Sequence, residues 1–491
     1  MKNILRYALT ICAAGLLAGG CTSNFDEYNT NQNQMEMGDI HPLNLLEHIL
    51  FTGADGMVYR TWLLNNELVQ YTVQMYTENV HRYMIRDSYN SGTWNHLARW
   101  AANADHMIEQ AVKNEDANSE AIALTMRALF VSNWTDIYGD IPFSEAFQGR
   151  NNVLKPKFDT QKEVYTQLFA DLERANSLYD SSRALRYPNK DLMYAGDIAK
   201  WRKFTNSLYM RLLMRLQNRD AETGVGEKLR EIVSNPTLYP VMASNADNAA
   251  LFYTNVDPFI GHFGTMTLQS FTSNSHRMAE HLVNLMNNTN DPRLGIYAVQ
   301  QNNEWTGLVS GYPTTETNAT NCAYLNKDVL GDYTSPYAFM RYDEVLFILS
   351  EAAFRGMIPG GSAAAQQYYE QAVLASIDYW DEINPSPTYE ITQAQKNAFM
   401  EIVAFDNTLE QILNQKYIAL FWVGYEAWHE YRRTGYPNLK IGKGTANDGV
   451  LPTRFIYPVT TVDTNHENYL KAIANQGPDN MKTRLWWARK Q

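Results

Sequence analysis

The sequence predicts a mainly α-helical protein, and two observations lead to this fold class. Long stretches of the chain carry apolar residues at helical spacing, and residues that favour helix N-termini stand directly before several of these stretches. The chain has 491 residues, 45% of them hydrophobic, which is ample for a large core. Helix signals therefore dominate over strand signals along most of the sequence.

The clearest predicted helices lie in the first half of the chain. Asp159 and Thr160 stand at the start of a predicted helix in the segment 160–180, and either residue is a natural N-cap. Asp197 precedes a second helix, over 198–218, whose apolar stripe includes Trp201. Further helices are predicted over 43–60, 62–76, 94–113, 118–137, 340–356, 363–380 and 408–431.

Consecutive helices of this kind can stack in pairs, as they do in tetratricopeptide-like arrays. No clean repeat of 34 residues is present, so any repeats are degenerate. Two stretches have a different composition, rich in Asn, Thr, Gly, Tyr and Pro, which is typical of loops. We therefore expect a single domain over 39–491. Its helical scaffold lies mainly in 42–235 and 336–436, and its loop-rich lobe mainly in 236–335 and 437–491.

The N-terminus has the order of a secretory signal peptide over 1–20. Lys2 and Arg6 precede an apolar run that is too short to cross a bilayer, and small residues follow. Cys21 comes directly after two glycines, which resembles the bacterial lipobox, in which this thiol is acylated. We expect Cys21 to be the lipid attachment site. The alternative is an ordinary secreted protein in which Cys21 has no special role.

Residues 21–38 are polar and contain too little apolar surface to pack, so we expect a flexible leader. Within it, Asp26 and Glu27 resemble the acidic signals that direct some lipoproteins to the cell surface. The formal net charge of −12, without a basic cluster, argues against nucleic acid as a partner. If Cys12 leaves with the signal peptide and Cys21 carries lipid, only Cys322 remains, which excludes disulfides and cysteine-based metal sites.

The common catalytic motifs are missing from the sequence. There is no HExxH, G-x-S-x-G, P-loop or dinucleotide-binding glycine pattern. His429 and Glu430 stand beside Arg432 and Arg433, where an ion-pair cluster on one helix face is the simpler interpretation. A carboxylate pair for glycoside hydrolysis is recognised only by its separation in space, so the sequence leaves that chemistry open. We predict no catalytic residues, no metal and no cofactor.

Several segments together resemble one family, the SusD/RagB outer-membrane nutrient-binding lipoproteins of Bacteroidetes. In order and spacing they cover nearly the whole mature chain. They are FDEYNTN at 25–31, DIYGDIPFSEA at 136–146, PKFDTQ at 156–161, WRKFTNSL at 201–208, EAW at 426–428, RRTGYP at 432–437, PTRFIYP at 452–458 and WW at 486–487.

The resemblance implies a binding protein rather than an enzyme. Members of this family sit as a hinged lid on a TonB-dependent, SusC-type transporter in the outer membrane and capture an oligosaccharide or a peptide. Their fold places tetratricopeptide-like helix pairs on the side facing the transporter and a loop-rich lobe on the ligand side. The implied location is the outer membrane, with a lipid anchor and exposure at the cell surface. An oligosaccharide is the ligand we predict.

Aromatic residues beside polar groups are the candidate ligand contacts, because glycans pack on aromatic faces and hydrogen-bond to amides and carboxylates. The chain has 31 Tyr and 11 Trp, so the choice rests on their surroundings. Trp201, Trp422 and Trp428 lie on helical stripes and are expected in the core, and Trp94 has the same alternative. The predicted ligand-binding residues are Tyr83, Tyr89, Trp94, Trp305 and Tyr312.

Three other functions remain open from the sequence. A peptide-binding importer component would have fewer aromatic platforms and a charged pocket. A lipid-anchored glycoside hydrolase would have two pocket carboxylates at roughly 5–10 Å separation. A structural adaptor would have no concave aromatic pocket.

Overall fold

A computed structural model gives the architecture of the protein. It describes residues 41–74, 79–273, 276–316 and 321–489. The predicted signal peptide, Cys21 and the polar leader lie outside the described residues. Within the described segments, no helix is long and apolar enough to cross a membrane.

The first half of the chain forms a series of helices that pack on one another, as the predicted fold class implies. Helix α2 packs extensively on α3, α3 on α4, and α1 on α2, while α5 packs on both α4 and α6. The bounds are α1 Pro42–Arg60, α2 Asp87–Lys113, α3 Ala117–Tyr138, α4 Gln161–Leu178, α5 Ile198–Arg215 and α6 Val225–Ser234.

The two N-caps named from the sequence are confirmed. Thr160 closes a capping box with Glu163 at the start of α4, and the Asp197 carboxylate accepts the Lys200 N–H at the start of α5. Gly139 follows α3 with φ 91°, a conformation that glycine adopts without steric cost. Asp116 caps α3 by accepting from Ser119 N, which explains the acidic loop before this helix.

A second helical group follows the loop-rich region. Helix α7 is Glu280–Asn287. Helix α8 packs extensively on α9, and it also contacts α11 and α5 from the first group. The remaining bounds are α8 Tyr342–Phe354, α9 Gly361–Glu382, α10 Gln393–Ile402, α11 Leu409–Ala419, α12 Glu426–Thr434, α13 Val459–Thr464 and α14 His466–Gln476.

Short strands organise much of the loop-rich region. A four-stranded antiparallel sheet has the order β1-β3-β5-β4, with Val73 opposite Arg277 and Arg277 opposite Tyr324. A separate pair joins β2 to β6, antiparallel with a register shift. The strands are β1 Thr72–Gln74, β2 Ala249–Leu251, β3 His276–Met278, β4 Ala298–Val299, β5 Tyr324–Leu325 and β6 Tyr337–Met340.

Short helical turns complete the described chain. Four are α-helical, at Asn66–Leu68, Asp220–Thr223, Leu294–Tyr297 and Lys327–Leu330. Two are π-helical, at Thr61–Asn65 and Gln269–Ser273. The 3₁₀ turns are Val80–Arg82, Gly149–Asn151, Pro188–Lys190, Gln217–Arg219, Asn245–Asp247, Pro387–Tyr389, Asn447–Gly449 and Trp486–Ala488.

The predicted helix over 62–76 is wrong in its second half. The helical turns end at Leu68, Gln70 takes a left-handed conformation with φ 59°, and β1 begins at Thr72. The buried Glu67 carboxylate accepts hydrogen bonds from the Thr72 hydroxyl at 2.7 Å and from Gln74 N at 2.9 Å. These bonds hold the chain in a turn, which the apolar periodicity of the segment does not indicate.

Three other boundaries also differ from the prediction. Helix α2 begins at Asp87 rather than at 94. The helix predicted over 408–431 is two helices, because Trp422 and Gly424 between them have φ 70° and 50°. Helices α13 and α14 lie inside the stretch after 437 that was predicted to be loop-rich.

One core of buried apolar side chains runs through the described residues from Pro42 onward, which form one compact unit. Trp201, Trp422 and Trp428 are buried in it, as predicted. The cluster predicted around His429 and Glu430 is also an ion-pair network, and it is buried within this core.

Arg433 is at the centre of the buried network. Its guanidinium is fully buried and donates to both carboxylate oxygens of Glu351 and to both of Glu430. Lys416 donates to Glu430 at 2.6 Å, and Arg215 contacts Glu430 at 3.2 Å. Burial alone would raise the pKa of Glu430, but these cations hold it well below the usual value. The network ties α12 to α5, α8 and α11.

Candidate functional site

Of the predicted ligand residues Tyr83, Tyr89 and Trp94, two are buried. Trp94 lies inside α2 with 7% of its surface exposed. Its indole meets the rings of Trp134 and Tyr138 edge-on, each at 4.9 Å, and that of Tyr457 at 5.8 Å. A ring enclosed in this way has no free face for a sugar. The core alternative describes Trp94 better than the platform prediction does.

Tyr83 and Tyr89 differ in exposure. Tyr83 is fully buried, with φ 61°, and its hydroxyl accepts from the Gln70 amide at 3.4 Å. Burial raises the pKa of Tyr83 to about 12. Tyr89 is half-buried in the first turn of α2, where the Arg86 guanidinium lies 5.7 Å from its ring centre. The candidate ligand site is therefore sought among the other predicted residues.

Trp305 is half-buried and follows a tight turn. Gln301 and Glu304 form an isolated antiparallel bridge around Asn302 and Asn303, whose φ values are 53° and 61°. Positive φ at both central residues is the signature of a type I′ hairpin turn, and asparagine tolerates it well. On the other side of Trp305, Ala323 N donates to Thr306 O at 2.8 Å. The backbone at Trp305 is therefore fixed on both sides.

Tyr389 is the second ring at this site, and the sequence reasoning missed it. It ends the 3₁₀ turn Pro387–Tyr389 and is half-buried. Its ring lies over Gly295, where a Cβ would stand 3.9 Å from the ring edge. The one feature of the local sequence that could have indicated Tyr389 as a ligand contact is that it is an aromatic residue in the polar segment after α9. No sequence pattern indicated that this segment lies next to Trp305.

Trp305 and Tyr389 line one cavity of about 280 Å³, which we call the Trp305 cavity. This volume is at the lower end of the ~300–1,000 Å³ that is typical of ligand pockets. Its polar lining combines neutral amides with one exposed carboxylate. These groups are Asn287, Asn290, Gln395 and Glu390.

The wall of the cavity near Asn290 is rigid. Asp291 also lines the cavity, and its carboxylate accepts from the Arg293 guanidinium at 2.6 and 2.9 Å. Both side chains of this ion pair are fully buried, and Arg293 donates further to Gln415 at 2.8 Å. The ion pair holds the chain at 290–293 in place. Asp291 is thereby engaged, which leaves Glu390 as the accessible carboxylate among the described lining residues.

This arrangement is suited to binding an uncharged polar ligand. A half-buried indole and a half-buried phenol can pack their accessible faces against the C–H groups of a sugar, while amides donate and accept hydrogen bonds with its hydroxyls. Among the described residues, no group of three His, Cys, Asp or Glu side chains is arranged to hold a metal ion.

Tyr312 lies in a different cavity from Trp305. Tyr312 is 6% exposed, with the His81 ring stacked on it at 4.8 Å and the Arg82 guanidinium 4.5 Å from its ring centre. Its carbonyl accepts from Arg82 Nε at 2.7 Å. With its ring packed against two side chains, Tyr312 is a structural wall of its cavity rather than a platform.

The neutral form of His81 stabilises the packing around Tyr312. Its Nδ1 accepts the Gly311 N–H at 3.0 Å, which requires an unprotonated Nδ1. Burial, and then the charge of Arg82, lower the pKa of His81 to about 3.

Cys322 is buried in a small apolar cluster with Val73 and Tyr312, and burial raises the pKa of its thiol. A buried thiol with a raised pKa is a poor nucleophile.

Comparisons with known proteins agree on one family. The profile of a SusD-like family, described as "Starch-binding associating with outer membrane", matches residues 32–458. A search of curated protein sequences finds no match.

Many solved structures share the fold. A chitin-binding protein is 25% identical, with a TM-score of 0.79, and the alignment covers 91% of this chain and 99% of that one. A SusD homologue from Bacteroides fragilis is also 25% identical, with a TM-score of 0.74 and coverage of 89% and 99%. A chitin-binding SusD homologue from Flavobacterium johnsoniae is 23% identical, with a TM-score of 0.75 and coverage of 92% and 98%.

Proposed function

Because the chain belongs to the SusD-like family, we propose that it is an outer-membrane lipoprotein that captures an oligosaccharide for import. The family description names starch, and two structural relatives are described as chitin-binding, which supports a glycan as the ligand class. The proposed role is binding without covalent chemistry.

The Trp305 cavity is the proposed glycan site. The observation that carries this proposal is the meeting of two half-buried rings, Trp305 and Tyr389, in one cavity whose lining includes three neutral amides. Aromatic contacts of this kind contribute about 0.5–1.5 kcal/mol each beyond area burial, and each amide hydrogen bond about 0.5–1.5 kcal/mol. A shallow site of this strength binds reversibly, as delivery to a transporter requires.

The proposed anchor is a lipid on Cys21, after removal of the signal peptide over 1–20. A single acyl chain binds membranes only marginally, and lipoproteins of this type carry more than one. The polar segment 21–38 would then act as a tether. A tether of this kind keeps the protein at high effective concentration beside a membrane partner while it moves.

The proposed partner is a SusC-type, TonB-dependent transporter, on which this protein acts as a lid at the cell surface. The helical scaffold is the side that we assign to this partner, and the Trp305 cavity is formed by residues of the loop-rich lobe together with the segment that holds Tyr389. Closure over the transporter would commit a bound glycan to entry. Co-purification of a SusC-type protein with the full-length, lipidated chain tests this assignment.

A glycan array tests the ligand class. The soluble form beginning after Asn33 is suitable, because the described chain from Pro42 onward forms one compact unit. We expect retention on a subset of polysaccharide or oligosaccharide spots, with starch- and chitin-derived glycans as the first candidates. An array on which no glycan retains the protein would contradict the proposal.

A further inference from the structure

The cavity beside Tyr312 shares helix α7 with the Trp305 cavity. It has a volume of about 560 Å³, and we call it the Lys440 cavity. Asn287, the last residue of α7, lines the Trp305 cavity, and the next residue, Asn288, lines the Lys440 cavity. Because the Cα atoms of neighbouring residues are about 3.8 Å apart, the two cavities meet at the end of this helix.

A segment of the loop-rich region also connects the two cavities. Trp305 lines the first cavity and Val309 lines the second. The backbone between them is fixed, because Leu308 N donates to Met278 O and Glu280 N donates to Leu308 O, each at 2.8 Å. Four peptide units separate Trp305 from Val309, so their Cα atoms are at most ~14 Å apart. This distance is within the reach of a short oligosaccharide.

Exposed asparagines occupy the part of the chain where the cavities meet. Asn284 and Asn288 line the Lys440 cavity, and Asn287 and Asn290 line the Trp305 cavity. All four are exposed, and their side-chain amides have no hydrogen-bond partner among the described residues. Residues three and four apart lie on one face of a helix, so Asn284, Asn287 and Asn288 are neighbours. We call these three residues the asparagine ridge.

Local helix stability does not explain the asparagine ridge. Asparagine is a poorer helix former than alanine, because its side chain competes for backbone hydrogen bonds. Asn284 and Asn287 nevertheless lie inside α7, whose opposite face carries the buried Leu282 and Met286. The amides of the ridge are free to donate and accept hydrogen bonds with the hydroxyls of a sugar.

Four charged side chains line the Lys440 cavity, two of each sign. They are Glu280, Glu316, Lys440 and Lys443. None of the four makes an ion pair with another side chain among the described residues, although ion pairs are common elsewhere in the protein. The two ammonium groups can therefore donate to hydroxyls of a ligand, and the two carboxylates can accept from them. Because the charges balance, the cavity suits an uncharged polar ligand.

Apolar side chains on a fixed backbone complete the Lys440 cavity. Leu285 is half-buried, and Val309 and Ile441 are 48% and 40% exposed. A Cβ added at Gly442 would stand 2.3 Å from Ser310 O, so glycine is required where these two loops cross. The lining therefore presents apolar contacts for the C–H groups of a sugar in a fixed arrangement.

We infer that the Trp305 cavity, the asparagine ridge and the Lys440 cavity form one extended site for a linear, uncharged oligosaccharide. One sugar packs on Trp305 and Tyr389, the next sugars lie along the asparagine ridge, and a distal sugar contacts Lys440 and Val309. The site therefore selects glycans by chain length, since a disaccharide reaches only one of the cavities. This inference rests on the proposed glycan capture and adds the second half of its site.

The first test measures affinity against chain length. Maltooligosaccharides and chito-oligosaccharides, each from the disaccharide to the hexasaccharide, are titrated into the soluble protein in a calorimeter. In the series that binds, we expect the hexasaccharide to bind at least tenfold more tightly than the disaccharide, because only the longer chain contacts both cavities.

A double variant tests the second half of the site. In Asn284→Ala/Lys440→Ala, both changes are at exposed positions, and alanine favours α7 more than asparagine does. We expect at least tenfold weaker binding of the hexasaccharide and an unchanged affinity for the disaccharide. Trp305→Ala should weaken the binding of both. Lys471→Ala is the matched control, because Lys471 lies on the surface of α14 and pairs there with Glu467. It should leave both affinities unchanged.

The outcomes separate the extended site from glycan capture itself. A disaccharide that binds as tightly as the hexasaccharide would overturn the extended site, and so would wild-type hexasaccharide affinity in the double variant. Equal losses for the two chain lengths in the double variant would also overturn it. Each of these results would leave glycan capture in the Trp305 cavity intact. Binding of neither series would overturn the inference as well, and the glycan array would then decide separately on glycan capture.

Discussion

Trp305 and Tyr389 line one cavity, although they belong to segments far apart in the sequence. One follows a hairpin turn in the loop-rich region, and the other ends a 3₁₀ turn beyond α9. Their meeting depends on the packing of the segment after α9 over the turn Leu294–Tyr297, where Tyr389 lies on Gly295. The site is therefore a property of the tertiary fold.

The turn before Trp305 should control glycan affinity. Replacing both Asn302 and Asn303 with alanine puts two strained residues at positive φ, at a cost of about 1–2 kcal/mol each. We expect weaker glycan binding, because the indole would lose its fixed position. Calorimetry with the best glycan from the array measures this effect.

Asn303→Gly is the matched control for the turn, since glycine adopts positive φ without strain. It should bind the glycan as tightly as the wild type. If the double alanine variant also bound normally, the turn would have no role in placing Trp305.

Acid should destabilise the protein in part through His81. The folded pKa of about 3 is far below the unfolded value of about 6.5, so the unfolded chain binds a proton first as the pH falls. The stability associated with neutral His81 is complete above pH 6.5 and is lost as the pH falls towards 3. This group alone contributes a loss of about 2 kcal/mol between pH 7 and pH 5.

His81→Gln tests this pH dependence, because the glutamine oxygen can still accept the Gly311 N–H. The free energy of unfolding, measured with urea at pH 7 and pH 5, should fall less in this variant than in the wild type. His48→Gln, at an exposed position of α1, is the control and should keep the wild-type difference. An unchanged pH difference in His81→Gln would contradict the assignment.

The buried ion-pair network should be intolerant of losing its central cation. Arg433→Met leaves the carboxylates of Glu351 and Glu430 without their main partner in the core. We expect a loss of about 3–5 kcal/mol in the free energy of unfolding, as for other buried pairs that lose one member. Urea denaturation measures this loss.

Lys471→Met provides the comparison for Arg433→Met, because its ion pair with Glu467 lies on the surface. We expect no measurable change in stability. Equal stabilities of the two variants would show that the buried network contributes nothing that a methionine cannot replace.

Membrane attachment should depend on Cys21. In the full-length protein, Cys21→Ala removes the thiol that carries the proposed lipid. We expect the variant to move from the membrane fraction to the soluble fraction, with fractionation and immunoblotting as the measurement. A Cys322→Ala variant should stay in the membrane fraction, and membrane retention of Cys21→Ala would contradict the anchor.

The parts of this fold that depend on neighbouring residues could be predicted from the sequence. Thr160, Asp197 and Gly139 set helix ends through contacts within a few residues, so their roles follow from local rules. The burial of Trp201 and Trp428 likewise follows from helical periodicity.

The predictions of ligand residues fail where a segment that is distant in sequence packs against the residue and determines its exposure. Trp94 is buried because Tyr457, from near the C-terminus, packs against it. Tyr312 is enclosed by His81 and Arg82, and Tyr389 reaches Trp305 from beyond α9. No local pattern contains these contacts, so the sequence identified the loop-rich region but only one ring of the cavity.

The most direct test of glycan capture is the affinity of the Trp305→Ala/Tyr389→Ala double variant for the best glycan from the array. Calorimetry should show binding at least tenfold weaker than the wild type in a variant that remains folded. Tyr187→Ala, which removes an exposed ring elsewhere on the scaffold, should bind normally. Wild-type affinity in the double variant would contradict the assignment of the glycan to the Trp305 cavity.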